Sequence, residues 1–197
     1  MKGKMNLEQF KKRTHILRVV LQVLFYCSSA LAAIMAVSIP VILLADIHMD
    51  TRNAGLFLSM NGTLRYSLKD TVLQYSAVKP ALAAAIAAAL IMLLIISLVL
   101  YNLYRILEAI EKKTPFISEN VKRLSRIGLI LVLGSIAYPV ADYAMTRCVM
   151  DLVNLPGISV NYSVFNAGLL FTGLLVLVLS GVFRYGSYLQ KEHDATV

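Results

Sequence analysis

The sequence predicts an all-α membrane protein, a four-transmembrane-helix bundle carrying a small extracytoplasmic β element. Three observations carry that expectation. Only 15% of the 197 residues are charged and 58% are hydrophobic, against about 25% charged in soluble globular domains. The mean hydropathy is +0.72, an apolar excess that must face lipid rather than water. Finally, four apolar blocks each approach or exceed the roughly 20 residues that a helix needs to cross about 30 Å of hydrocarbon. Residues 1–197 read as a single membrane domain.

The first block, VVLQVLFYCSSALAAIMAVSIPVILLA, predicts a span at about 17–45. Basic residues precede it and it contains ALAA, as a secretory signal would. A signal's apolar region is about 7–15 residues, and this one runs on unbroken, so it reads as a retained anchor. Leu7, Phe10 and Ile16, set among basic residues, suggest an amphipathic arm over 1–18 resting on the inner leaflet. Pro40 removes a backbone donor and should kink the first span near its outer end.

An outer hairpin loop is expected over 46–79. Asn61-Gly62 lies between two short apolar and aromatic runs in GLFLSMNGTLRYSL, and Asn-Gly tolerates the positive φ values of a type I′ turn. Two strands alone are marginal in water, and ISVNYSV at 158–164, after the Pro156-Gly157 turn, is a candidate third. Asn61-Gly62-Thr63 and Asn161-Tyr162-Ser163 also fit the glycosylation acceptor pattern. Turn chemistry accounts for the first and chance for the second.

The second span is expected at about 80–104, with Pro80 in the first helical turn, where its missing donor costs nothing. Its run ALAAAIAAAL is small and smooth, which suits close helix packing; an alanine-lined substrate path is the sharper reading. The helix should continue to 113, because Arg105, Glu108 and Lys112 can pair at helical spacing. A loop over 105–125, a third span at about 126–145 containing Pro139 and Asp142, and an outer loop over 146–163 follow. The fourth span is expected at about 164–184, with a tail over 185–197.

Lys and Arg give the orientation. The amino-terminal arm, the 105–126 segment and the tail hold fourteen of them, and the opposite side holds Arg52, Arg65, Lys69, Lys79 and Arg147. By the positive-inside rule both termini and the central loop belong in the cytoplasm, which places the chain in the plasma membrane as a multi-pass protein. The net charge of +8 is then mainly a topology signal that also suits anionic headgroups. Direct nucleic-acid binding is disfavoured, since no stacking aromatics accompany a basic stripe.

The loop KKTPFISENVKRLSRIG is densely charged for so oily a chain. Thr114-Pro115 ends a helix, Ser118 suits an N-cap, and Glu119 suits the first turn of the next helix. Phe116 either tucks against the helices or contacts a soluble partner. This stretch and the terminal VFRYGSYLQKEHDATV resemble the two signature stretches of DUF2975, a bacterial four-helix membrane family catalogued as a domain of unknown function. Pro115, Phe116, Glu119, Asn120, Arg123 and Leu124 match the first signature. Phe183, Gly186, Leu189, Glu192, Asp194 and Val197 match the second, with Ala195 where a larger apolar residue is commoner.

The resemblance implies a membrane partner for a small cytoplasmic helix-turn-helix DNA-binding regulator, and it carries over no catalytic residues. It makes Pro115, Phe116, Glu119, Asn120, Arg123, Gly186 and Asp194 the candidate partner-binding residues. Both signatures fall on the cytoplasmic face, so loop and tail are expected to form one platform, with Glu192 and Asp194 free to pair with Lys122, Arg123 and Arg126.

Asp142 is the candidate intramembrane polar residue, because an ionisable group within a span is a functional candidate by default. An interfacial carboxylate paired with Arg147 is the plainer reading, and a proton relay the sharper. Gln22, Asn102 and Asn166 suit interhelical hydrogen bonds. His15, His48 and His193 have no metal-ligand spacing, Cys27 and Cys148 are too far apart in the topology to bridge, and no nucleotide or nucleophile motif occurs. No enzyme activity, cofactor or metal is expected. Two functions remain: a regulatory or sensing membrane partner of that regulator, or a small transporter or immunity protein against a membrane-active peptide. Self-association is left open.

Overall fold

A computed structural model gives the fold. It describes the backbone of residues 2–44, 57–60, 64–67, 75–112, 118–153 and 163–195, and the side chains of 12–44, 78–112, 118–151, 163–189 and 192. Four helices dominate: α1 (Lys2–Leu44), α2 (Tyr75–Glu111), α3 (Ser118–Val153) and α4 (Ala167–Ala195). Each contains a stretch long and apolar enough to cross a membrane, namely Lys12–Leu44, Val78–Glu111, Ser118–Asp151 and Ala167–Leu189. A helix is the open-chain form that satisfies every backbone donor and acceptor internally, which hydrocarbon demands.

Between α1 and α2, β1 (Phe57–Met60) pairs antiparallel with β2 (Leu64–Ser67), Phe57 opposite Ser67 and Met60 opposite Leu64. The Asn61-Gly62 turn and most of the expected third strand lie outside the described residues. Ser163 and Val164, which are described, are not in a strand.

The helices are longer than the spans expected of them. From Lys2 on the arm is not a separate helix but the first part of α1, one helix of 43 residues, about 64 Å at 1.5 Å per residue. Lys and Arg are good helix formers, so charge alone does not end a helix whose apolar part already nucleates it. Pro80 is not in the first turn, since α2 starts at Tyr75. α3 runs through Pro139 and on past residue 145, so Arg147 and Cys148 are helical rather than in a loop. The tail is helical to Ala195.

Burial follows a seven-residue repeat. On α1 the residues that are not exposed include Thr14, Leu21, Ser28, Met35 and Ile42, interleaved with Arg18, Phe25, Ala32 and Ile39. On α2 the buried stripe is Ala81, Ala88, Ile95, Asn102 and Ala109. Such a repeat is slightly shorter than two turns of 3.6 residues, so helices that keep it in contact cross at about 20° in a left-handed sense. α1 packs on α2, α2 on α3, and α3 on α4. No comparable contact closes α1 on α4 among the described residues, so the expected bundle is an open row with α1 and α4 at its edges. Lipid tails are as apolar as leucine, so nothing drives the outer faces together. Those faces carry the exposed apolar residues, among them Ile34 and Val37 on α1 and Phe171 and Val178 on α4.

The edge helix α4 is displaced along the row. Its entry residue Asn166 donates its backbone N–H to the carbonyl of Ser135 at 2.7 Å, and Ser135 is the eighteenth of the 36 residues of α3. α4 therefore starts halfway along α3. At the other end, Ser180 lies level with Val121, and α4 continues to Ala195, about 18 Å beyond the first residue of α3.

Candidate functional site

One end of the row gathers the start of α3, the last turns of α2, part of α1 and the late turns of α4. It is the basic end. Arg18 of α1 bonds Glu111 of α2 at 2.9 Å, with His15 Nδ1 at 3.3 Å from the same carboxylate. Glu108 takes Arg105 at 3.0 Å and Lys112 at 2.9 Å, and the Arg105 guanidinium lies 5.7 and 5.8 Å from the ring centroids of Tyr101 and Tyr104. Phe25 of α1 completes that aromatic group, 5.5 Å from Tyr101 and 5.7 Å from Tyr104.

The link from α2 to α3 is Arg123. Its Nη1 donates to the Arg105 carbonyl at 3.2 Å and to Asn120 Oδ1 at 3.1 Å. Asn120 is buried. Glu119, in the first turn of α3 where the helix dipole favours an acid, lies 4.0 Å from both Arg123 and Arg126. The link from α3 to α4 is Ser180, which donates to the Val121 carbonyl at 3.0 Å.

Beyond that bond the two helices part around a cavity of about 320 Å³ lined by Ser118, Val121 and Lys122 of α3 and by Arg184, Ser187 and Tyr188 of α4. On each helix these are residues i, i+3 and i+4, the spacing that puts side chains on one face. Tyr188 donates to Glu192 at 2.7 Å within α4.

The candidate residues are thus partly assembled. Asn120 and Arg123 are bonded, Glu119 is beside them, and Gly186 precedes Ser187 of the cavity wall on the facing helix. Pro115 and Phe116 lie outside the described residues. Asp194 is in the helical backbone of α4, with its side chain outside the described set. Of the three cations that Glu192 was expected to meet, Arg123 and Arg126 lie beside Glu119 of their own helix, while Lys122 lines the cavity with Tyr188, which donates to Glu192.

Asp142 makes no ion pair with Arg147. Residues five apart on a helix lie about 140° apart around its axis, so they do not share a face. Asp142 instead continues the stripe Val121, Gly128, Ser135, seven residues past the point where α4 begins. Asn102 donates to Leu98 of its own helix and Asn166 caps α4 by accepting from Leu169 N–H at 3.0 Å, so neither side chain bridges helices as expected. Besides the Arg123 and Arg18 links, two serines bridge helices: Ser97 donates to Ser28 at 2.8 Å and Ser180 to the Val121 carbonyl. The signal for Ser180 in the sequence was the seven-residue series Asn166, Gly173, Ser180, Ser187. Among the described residues no group of three His, Cys, Asp or Glu side chains is placed to hold a metal.

A family described as protein of unknown function, DUF2975, matches residues 63–197. The chain belongs to the DUF2975 family. The region shared with DUF2975 takes in α2, α3 and α4, hence the Arg123 link and the whole cavity wall, whereas Arg18 and His15 fall before it. No curated protein and no solved structure matches the chain.

Proposed function

We propose that this DUF2975 protein is a non-enzymatic regulatory membrane protein whose basic end, in the cytoplasm, holds a small helix-turn-helix regulator at the membrane. One observation carries the reading. Two stretches about 60 residues apart in sequence, around Asn120–Arg123 and Ser180–Tyr188, meet at a single end and frame one cavity. Cytoplasmic placement of that end and of both termini rests on the fourteen-to-five division of Lys and Arg, and it leaves the β1–β2 pair on the extracytoplasmic side. Arg123 would act by fixing the start of α3 against α2, so that Glu119 and Asn120 are presented in one geometry.

The test is co-purification of this chain with small helix-turn-helix regulators of the same cell. Phe116→Ala with Arg123→Ala should reduce their recovery at least tenfold while the membrane protein stays folded. Undiminished capture would sink the proposal. The second reading, a small transporter or an immunity protein against a membrane-active peptide, is favoured by Asp142, which is half-buried on a helix face that has run past its neighbour. That reading requires Asp142→Asn to abolish transport or protection, whereas the regulatory reading expects no effect.

A further inference from the structure

We propose that the cavity between α3 and α4 at the basic end binds a phosphate group, carried by an anionic phospholipid with its headgroup in the cavity. The proposal does not depend on the regulatory reading. Lys122 and Arg184 enter the wall from opposite helices, and neither has an ion-pair or hydrogen-bond partner among the described residues. No carboxylate lines the cavity. The nearest acids in sequence are Glu119, set beside Arg123 and Arg126, and Glu192, which accepts from Tyr188.

A second observation points to a polar guest. Ser187 is 7% exposed, lines the cavity, and its hydroxyl has no partner among the described residues. Its oxygen opens onto the cavity rather than being sealed in the protein, so it is free to donate to an acceptor oxygen placed there. Ser118 and Val121 bring the first turn of α3 to the cavity wall, the end of a helix whose dipole favours an anion.

The position selects the carrier. Arg184 directly follows the apolar run of α4, and Lys122 lies five residues before the apolar run of α3 begins at Ile127. The cavity therefore sits where hydrocarbon gives way to headgroups, and Val121 and the Tyr188 ring add apolar wall for the glycerol and upper acyl chain. Basic pockets between spans at this depth suit phosphate-bearing lipid headgroups, and Arg adds a planar fork that can hold two phosphate oxygens.

The test uses the full chain purified in detergent, with lipid retention read by native mass spectrometry after exposure to phosphatidylglycerol or phosphatidylcholine. Wild type should retain phosphatidylglycerol preferentially. Lys122→Gln with Arg184→Gln should lower that retention tenfold or more, Ser187→Val severalfold, and Arg126→Gln, a cation outside the cavity, not at all. Displacement of the lipid by millimolar inorganic phosphate would support the phosphate site, and competition by phosphate without any lipid preference would assign it to the free anion. Equal retention by wild type and the double variant, or an equal fall in Arg126→Gln, would overturn the site.

Discussion

Gly173 shows how much a single missing methyl decides here. A Cβ at this position would lie 2.8 Å from Val132 Cγ2, 2.9 Å from the backbone nitrogen of Val132 and 3.0 Å from the carbonyl oxygen of Gly128, so backbone as well as side chain stands in the way. α3 and α4 touch because both glycines leave that space empty, the small-residue device that lets helices associate in lipid. Gly173→Ala is expected to destabilise the protein by about 1–3 kcal/mol through forced separation. Gly181, with nothing within 4 Å of the same construction, should accept alanine without loss. Unfolding midpoints in mixed micelles would distinguish the two, and similar values would mean that the helices do not meet at Gly173. At the other side of the row, Glu111→Ala removes the partner of a half-buried Arg18 and should cost about 1–3 kcal/mol. Glu108→Ala breaks only intrahelical pairs, worth about 0.2–0.5 kcal/mol each.

Among the elements, α4 is the one whose placement changes the reading of its neighbours. Asn166 caps it with a side-chain acceptor for Leu169, and its backbone ties that cap to the middle of α3. Asn166→Ala should therefore destabilise by about 1 kcal/mol or somewhat more, and Asn166→Asp should retain most of the stability. Loss of hydrogen-exchange protection confined to the first turns of α4 would confirm that the effect is local. The same displacement explains Asp142. In sequence it looked like one charge within one span. In the structure it occupies the α4-facing stripe of α3 beyond the start of α4, while Arg147, five residues on, points to a different face. The small, polar members of the stripes were visible as residues, but their meaning was hidden, because a helix apolar on every side has no hydrophobic face for periodicity to reveal.

For the whole molecule, the open row predicts that orientation and packing are separable. A single cysteine introduced at Val197 in a chain lacking Cys27 and Cys148 should resist impermeant thiol reagents applied to intact cells, and react once the membrane is opened. Labelling from outside would reverse the proposed topology and remove the proposed cytoplasmic platform. Substitutions on the outer faces of α1 and α4 between residues of similar apolarity, such as Val37→Leu or Val178→Leu, should shift the unfolding midpoint little, since both side chains are exposed on the outside of the row.

Number of helices, their apolarity and the sidedness of their charges were legible in the linear chain, because hydrocarbon imposes length and composition on any segment that crosses it. The continuation of α1 through its basic arm and of α3 past Pro139 was not, since propensity and tertiary support override local breakers. Which faces meet, that α1 and α4 remain edges, and that Lys122, Arg184 and Ser187 surround one cavity were settled only by three-dimensional packing. The physical reason is the solvent. Water sorts residues by polarity and writes the buried face into the sequence, whereas lipid is indifferent among apolar side chains and leaves the choice to shape and to a few hydrogen bonds.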